Sequence, residues 1–311
     1  MSLHRLTRIT VGVPDVAANA EYYADFGLSP AAASAEEARF STADGGEQLR
    51  LVRTPRRRLV ELRIGADGPD DIGRVAASLA RLGVEADTRS GTVTSHDPGT
   101  QVTVVVEVTA RLRQADTPPP PYNAPGHIGR PDVRAPGVLR EGPVQPRKLG
   151  HVVLGSIDQE LSQRFFADGL GFKVSDTVPG LAAFMRCSTD HHNVLVQQAP
   201  LAFLHHTSWQ VDDVDEVGRG ASGMLAKDPG RHVWGLGRHH VGSNFFWYLK
   251  DPAGNFSEYY SDLDCIVDDE LWKPGVWEGA RGLYSWGPPP PSSFLAPDDL
   301  AGLMASAHAP R

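Results

Sequence analysis

The chain contains an internal repeat, and this repeat constrains the fold more than any other feature of the sequence. The stretch "RITVGVPDVAANAEYYAD", which begins at Arg8, is matched by "HVVLGSIDQELSQRFFAD", which begins at His151. Each stretch has the pattern of an apolar strand, a turn that ends in an aspartate (Asp15 or Asp158) and an amphipathic helix. Because a repeated pattern indicates a repeated structural unit, the two halves of the chain should fold alike.

A second unit of the same kind follows in each half. The first half continues with "LVELRIGADGPDDIGRVAASLARLG" and the second with "HTSWQVDDVDEVGRGASGML". Both halves close with an Asp-Pro turn that contains glycine and leads into a final strand. The sequence therefore predicts an α+β fold of four βαβββ modules, paired into two domains. Each module would contribute a small curved sheet, and the two modules of a pair would together enclose a cavity.

Proline and glycine mark the boundary between the halves, since neither residue suits a helix interior or a central strand. We expect an N-terminal domain at residues 1–115, a linker at 116–146, a C-terminal domain at 147–264 and a tail at 265–311. The tail contains three tryptophans, so it should pack on the body of the protein. There it either covers the mouth of the cavity or joins subunits, and the sequence leaves both alternatives open.

Charge and composition exclude several classes of partner. The formal net charge is −8, and nucleic acids and anionic membranes select basic surfaces, so neither is expected as a partner. No stretch approaches the roughly 20 apolar residues that span a bilayer. The two cysteines, Cys187 and Cys265, are too few for a disulfide framework. We expect a cytoplasmic protein.

Three potential metal ligands occupy comparable strand positions in the second half. His151 and His206 each open the first strand of a module, and Glu258 lies on the last strand of the second module. Two imidazoles and one carboxylate on facing strands form the facial triad of non-heme Fe(II) oxygenases, which leaves one face of the metal open. His205 should point to the opposite face of its strand, because side chains alternate there.

The first half provides an internal control for this triad. The repeat places Arg8, approximately Leu59, and Val104 at the positions of the three ligands. A structural requirement for histidine or glutamate at these positions would apply to both halves. The difference therefore predicts a metal site in the C-terminal domain alone.

Further polar and aromatic side chains concentrate along the same half. They are His191, His192, Trp234, His239, His240, Asn244 and Tyr248. Such a concentration of histidines predicts that several of them line one site. For His191 and His240 an ordinary core or surface role stays equally open.

These residues resemble the type I extradiol ring-cleaving dioxygenases of the vicinal oxygen chelate superfamily. The resemblance covers nearly the whole chain and is carried by "LGHVVL", "LHHTSW", "GRHHVGSNFFWYLKDPAGNFSEYYSD" and "YSWGPPPPSSF". It implies Fe(II), or in some members Mn(II), bound by His151, His206 and Glu258. It also implies that His192 is the acid/base, that His239 contacts the substrate hydroxyl, and that Tyr248 hydrogen-bonds near the metal-bound oxygen. As substrate-binding candidates we add His191, His240, Asn244 and Trp234.

The function that the resemblance implies is cleavage of a catechol ring with Fe(II) and O2, in aromatic compound degradation, by a homo-oligomer. A vicinal oxygen chelate lyase or epimerase of the glyoxalase type is the alternative, since it uses the same scaffold with a divalent metal. A metal-free binding module of the bleomycin-resistance type is a third reading. Aromatic residues such as Phe184 and Trp234 favour a catechol with an apolar or biaryl side chain over a carboxylated one.

Overall fold

The computed structural model describes residues 3–307 and, apart from residues 280, 281 and 305–307, their side chains. The first half contains β1 (Leu3–Val13), α1 (Val16–Asp25), β2 (Ser29–Ala33), β3 (Glu37–Thr42), β4 (Gly46–Arg53), β5 (Arg58–Ala66), α2 (Pro69–Arg81), β6 (Ala86–Arg89), β7 (Thr92–His96) and β8 (Thr103–Val108). The short helix α3 (Pro136–Leu139) follows in the segment between the halves.

The second half repeats the order of the first. It contains β9 (Lys148–Ser156), α4 (Gln159–Arg164) with a π-helical turn (Phe165–Gly169), β10 (Lys173–Val178), β11 (Ala182–Arg186), β12 (Val194–Gln198), β13 (Phe203–Gln210), α5 (Val214–Lys227) with a 3-10 turn (Pro229–Arg231), β14 (His232–Arg238), β15 (Phe245–Lys250) and β16 (Phe256–Ser261). The tail adds β17 (Gly275–Val276), a 3-10 turn (Gly279–Gly282), α6 (Ser292–Leu295) and α7 (Leu300–Ala307).

Each half builds one mixed sheet, and the two sheets have the same layout. The strand orders are β2-β3-β4-β1-β5-β8-β7-β6 and β14-β15-β16-β13-β9-β12-β11-β10-β17. At the centre of each sheet the first strands of the two modules pair antiparallel, β1 with β5 and β9 with β13. Each of these strands also pairs in parallel with the last strand of its own module. The prediction of four βαβββ modules is confirmed.

The turn aspartates of the repeat begin the helices, as the pattern indicates. The carboxylate of Asp15 accepts a hydrogen bond from the Ala18 amide at the start of α1, and that of Asp158 accepts one from the Leu161 amide at the start of α4. Each carboxylate satisfies an amide that has no partner within the helix. The same local signal therefore positions equivalent helices in both halves.

Aromatic side chains join the two halves. The rings of Phe26 and Tyr259 stack with their centroids 3.9 Å apart, and Tyr259 donates a hydrogen bond of 2.7 Å to the Phe26 carbonyl. Both residues are buried in a hydrophobic core to which both sheets contribute. Because this core is shared, the division into two separate domains at the predicted boundaries stays a prediction.

The tail packs across the second sheet and reaches the first half of the chain. Trp277 donates its Nε1–H to Asp176 on β10, where β17 adds an edge strand. Near the end of the tail, Asp299 accepts hydrogen bonds of 2.6 and 2.8 Å from the guanidinium of Arg57. Phe294 lies between these two attachments and is buried. The tail is thus attached both to the second sheet and to the first half of the chain.

The described helices include none with the length and apolar character needed to cross a bilayer.

Candidate metal centre

His151, His206 and Glu258 come together on three neighbouring strands of the second sheet. The strand register pairs Ser208 of β13 with His151 of β9 on one side and with Glu258 of β16 on the other. One ligand atom from each of the three residues lies within 4.8 Å of the others. Among the side chains that the structure describes, no other three histidines, cysteines or acids form such a group.

The donor atoms of this group fit a divalent metal. Oε2 of Glu258 lies 3.1 Å from Nε2 of His151 and 3.7 Å from Nε2 of His206. All three residues are buried, and Oε2 of Glu258 and Nε2 of His206 lack a hydrogen-bond partner. A buried carboxylate oxygen without a hydrogen-bond partner lowers the stability of the fold, and a cation between the three donor atoms would satisfy it. Two imidazoles with one carboxylate are ligands typical of non-heme iron.

The electrostatics of the group favour the protonation states that bind metals. Burial acts to raise the pKa of Glu258, but the imidazoles of His151, His239 and His206 outweigh this effect and hold that pKa well below its usual range. Burial lowers the pKa of His206, and the neighbouring His205 adds to the effect. An ionised Glu258 carboxylate and a neutral His206 imidazole result, which are the forms that coordinate metal ions.

Asn244 lies behind the carboxylate ligand. Its Nδ2 donates a hydrogen bond of 3.1 Å to Oε1 of Glu258, and both residues are fully buried. Asn244 does not line the cavity beside the triad, and the substrate contact predicted for it stays a prediction. Partners of this kind fix the orientation of a metal ligand.

His205 lines the same cavity as His206, so the expectation that it points to the opposite face is wrong. A β-bulge between Leu204 and His206 interrupts the alternation of side chains on β13. Both imidazoles therefore face the cavity. Their Nδ1 atoms lie 2.8 Å apart, and Nε2 of His205 lies 2.7 Å from the carbonyl oxygen of Phe294 in the tail.

These contacts determine which nitrogen of His206 is available to a metal. A carbonyl only accepts hydrogen bonds, so His205 donates through Nε2 to Phe294. Burial lowers the pKa of His205 to about 4, which keeps the ring neutral and makes its Nδ1 an acceptor. His206 then donates from Nδ1 to His205, and its Nε2 keeps a lone pair directed at the triad.

Replacement of His205 by phenylalanine should lower metal affinity about 10- to 100-fold, because His206 loses the acceptor that fixes its tautomer. Calorimetric titration of the metal-free protein with Fe(II) or Mn(II) measures the change. His205→Asn is the matched variant, since its amide oxygen can accept the same hydrogen bond and should retain most of the affinity. Natural affinity in His205→Phe would contradict this role.

A cavity of about 70 Å³ lies beside the triad. Its walls consist of His151, Val153, Phe184, His192, Leu195, Gln197, His205, His206, His239, Val241, Tyr248, Gly282, Leu283 and Phe294. This volume is well below the roughly 150 Å³ of a cavity that holds benzene. An aromatic ring therefore needs more space than this cavity provides.

His192 lines this cavity beside one of the ligands. Its ring centroid lies 4.2 Å from that of His151. Burial lowers the pKa of His192 well below its ordinary value, and the surrounding histidines, His151 first among them, add to this. Its Nδ1 lies 3.1 Å from Nδ1 of His191, which leaves Nε2 as the nitrogen free to meet a ligand in the cavity.

His239 and Tyr248 form a hydrogen-bonded pair in the opposite wall. Nε2 of His239 lies 2.8 Å from the Tyr248 hydroxyl, and Nδ1 of His239 contacts the carbonyl of Leu283. Because the carbonyl oxygen of Leu283 only accepts, Nδ1 of His239 donates to it; in that tautomer Nε2 of His239 accepts the hydrogen bond from the Tyr248 hydroxyl. Burial, with a contribution from Glu258, raises the pKa of Tyr248 well above its ordinary value, so its hydroxyl stays protonated.

Three other candidates lie outside the cavity. His191 is fully buried and lies 3.4 Å from a carboxylate oxygen of Asp176. His240 is exposed and packs against the ring of Trp277. Trp234 is buried in an aromatic cluster and donates its Nε1–H to a tail carbonyl. None of the three lines the cavity, and the substrate contact predicted for them stays a prediction.

The first sheet presents different residues at the positions of the triad. Strand register identifies these positions as Arg8, Glu61 and Val105. The sequence alignment therefore gives Arg8 correctly but misses the other two, naming Leu59 and Val104 instead. The conclusion drawn from the control is unaffected, because two of the three positions still carry no metal-ligand residue.

Ion pairs occupy this part of the first sheet. Arg8 lies 3.5 Å from Glu47 and 3.9 Å from Glu61, and Glu61 accepts a hydrogen bond of 2.6 Å from Arg63. The acids are therefore already neutralised by arginines in half-exposed surroundings. The carboxylates of Glu47 and Glu61 are thus paired with arginines, whereas Oε2 of Glu258 in the second half has no hydrogen-bond partner.

Sequence comparison relates the chain to known proteins. Residues 148–259 match the family model described as Glyoxalase/Bleomycin resistance protein/Dioxygenase superfamily. Metapyrocatechase 2 of Cupriavidus necator is 34% identical over 302 residues, which cover 94% of this chain and 92% of that protein. An iron-dependent extradiol dioxygenase of Rhodococcus jostii is 30% identical, and a manganese-dependent 2,3-dihydroxybiphenyl 1,2-dioxygenase of Geobacillus genomosp. 3 is 29% identical. These two matches cover 45% and 47% of this chain and 50% of each relative.

Solved structures show the same architecture. The Mn(II)-bound glyoxalase from Novosphingobium aromaticivorans superimposes with a TM-score of 0.73 at 27% identity, over 94% of both chains. A substrate complex of homoprotocatechuate 2,3-dioxygenase from Brevibacterium fuscum gives a TM-score of 0.75 at 18% identity, over 94% of this chain and 92% of that one. The second likeness shows the fold alone. Because the match to metapyrocatechase 2 runs through both halves of the chain, the protein belongs to the extradiol ring-cleaving dioxygenases of the vicinal oxygen chelate superfamily.

Proposed function

We propose that the protein cleaves the ring of a catechol with O2, at the bond next to one of the hydroxylated carbons, and gives a ring-opened semialdehyde or keto acid. The observation that carries this proposal is the buried His151, His206 and Glu258 group, which faces a cavity lined by protonatable side chains. Family membership supports the same reaction class.

The metal in this proposal is Fe(II), with Mn(II) as the other candidate, held by His151, His206 and Glu258. When bound, such a metal acts as a Lewis acid towards the catechol hydroxyls and gives catecholate and dioxygen a common site. Relatives named for iron and for manganese support both choices. Metal content together with the specific activity of each reconstituted form distinguishes them.

His192 is the proposed acid/base. Its neutral imidazole accepts a proton from a catechol hydroxyl as the substrate binds, and it later returns a proton to oxygen. Asp176, His191 and His192 form a chain of contacts behind this step, at 3.4 and 3.1 Å. The role that we propose for His191 is therefore to orient His192.

The pair formed by His239 and Tyr248 is proposed to orient the oxygens on the other side of the cavity. Tyr248 keeps its proton and so offers a hydrogen bond to an anionic oxygen. His239 is held against the tail by its contact with Leu283. Its contact with a substrate hydroxyl would replace the one that it makes with Tyr248.

A lyase or epimerase of the glyoxalase type is the second candidate function. It is supported by the likeness to the Mn(II)-bound glyoxalase, which covers nearly the whole chain. Such a reaction consumes no dioxygen. The additional set of His192, His239 and Tyr248 around the triad favours the dioxygenase.

Mixing with catechol separates the two functions. Protein purified without oxygen and loaded with Fe(II) should consume equimolar O2 when air-saturated catechol is added, with a yellow ring-opened product. Absence of O2 uptake by the iron-loaded protein, together with conversion of a hemithioacetal, would support the glyoxalase function instead.

We further propose a homo-oligomer in the cytoplasm that acts in the degradation of aromatic compounds. Light scattering of the purified protein tests the first part, since a mass near that of the single 33.6 kDa chain would contradict it.

A further inference from the structure

An apolar row of side chains crosses the second sheet directly beside the triad. Register pairs Phe184 with Leu195, Leu195 with Val153, and Val153 with His206, so the four residues lie side by side on adjacent strands. All four line the cavity. An aromatic ring held near His206 therefore has apolar side chains as its immediate neighbours on this side.

Gln197 lies at the far end of the cavity. It follows Leu195 by two residues on β12 and pairs with Gly155, so it stands one row further from His151 than the apolar row does. Successive rows on one face of a strand are about 6–7 Å apart. A substituent that points away from the triad must cross the apolar row before it reaches Gln197.

The tail completes the apolar surroundings. Leu283 and Phe294 line the cavity opposite the sheet. Phe294 is buried and packs against His205 and Tyr248, with ring centroids 4.8 and 4.6 Å apart. The apolar row and these two tail residues therefore form facing walls of the space beside the triad.

The charges in the cavity wall determine which substituents the cavity can accept. Of the side chains that the structure shows in the cavity wall, none is a lysine or an arginine. The side chain of Gln197, at the far end of this wall, is an uncharged amide. A carboxylate carried into the cavity would lose its hydration without gaining a cationic side chain as partner.

We propose that the protein selects catechols whose substituent is uncharged and apolar, seated on the row of Phe184, Leu195 and Val153 with its outer end towards Gln197. This inference rests on the function proposed above and names its substrate class. Gln197 is then the position at which charge selectivity is set.

Matched substrates test the selectivity. The kcat/KM for 4-ethylcatechol should exceed that for 3,4-dihydroxyphenylacetate by at least about 100-fold, because the carboxylate is desolvated without a counterion. Affinities measured without oxygen by calorimetry should differ in the same direction. 3,4-Dihydroxyphenylacetamide, which has nearly the shape of the acid but no charge, should bind more tightly than the acid. If kcat/KM and the anaerobic affinity for the acid lie within about tenfold of those for 4-ethylcatechol, the proposal is overturned.

Unsubstituted catechol separates this inference from the proposed function. If catechol is not cleaved, the proposed function fails, and the anaerobic affinities still decide the selectivity. If catechol is cleaved and the acid is used as well as 4-ethylcatechol, the selectivity fails and the function stands.

Two variants of Gln197 test where the substituent ends. Gln197→Arg should reduce the preference for 4-ethylcatechol over the acid by at least about tenfold, because it supplies the missing cation. Gln197→Leu is the matched control and should keep or increase that preference. If both variants, folded by circular dichroism, show the natural preference, the substituent does not reach Gln197.

Discussion

Glu258→Ala should lose its metal during dialysis and lose at least about 10³-fold in kcat/KM for catechol, because the Lewis acid contributes several kcal/mol to the transition state. The carboxylate is the one anionic donor of the triad, and it lies between the two histidines. His151→Ala should give the same result. Metal analysis after dialysis and oxygen uptake measure the two effects.

Arg8→Ala is the matched control for His151→Ala, because Arg8 occupies the same strand position in the first sheet. It removes an ion pair with Glu47 and should change stability alone. Full metal content and activity are expected. A Glu258→Ala protein that keeps both iron and ring cleavage would refute the triad.

His192→Phe should keep its iron and lose about 10²- to 10⁴-fold in kcat, the range that a general acid/base contributes. Phenylalanine retains the ring that packs near His151 and Phe184 but removes both nitrogens. Metal content and the anaerobic affinity for catechol should therefore change much less than turnover. Stopped-flow absorbance after mixing with O2 gives kcat.

The exposed His240 provides the control for this variant. His240→Phe makes the same chemical change outside the cavity, and its kcat should equal that of the natural protein. If His192→Phe retains iron and turns over at the natural rate, the acid/base role assigned to His192 is wrong.

The layout of the fold could be predicted because its signals are local. Strand, aspartate and amphipathic helix recur within short stretches, and Asp15 and Asp158 cap their helices as that pattern indicates. The repetition of this pattern predicts the four modules that the two sheets contain.

The register of the strands, and the face to which each side chain points, were harder to predict from the sequence. A β-bulge turns His205 towards the cavity, and bulges in β1 and its partner shift the counterpart of His206 from Leu59 to Glu61. A strict alternation of side chains does not contain such irregularities. Register must therefore be read from the hydrogen bonds of the sheet.

The supporting contacts of the triad were not predictable at all from local patterns. Asn244 is a plausible substrate residue in sequence, and only the paired strands show that it holds Glu258. His205 bonds to the carbonyl of Phe294, which is 89 residues away along the chain. Such contacts depend on tertiary packing, which neither composition nor spacing encodes directly.

The reaction proposed for this site is the insertion of dioxygen into a catechol ring. Its most direct test is one turnover of the iron-loaded protein with catechol under isotopically labelled dioxygen, followed by mass spectrometry of the product. We expect a ring-opened product that carries label from O2. A product formed without any label, or no product from a protein that retains iron, would contradict it.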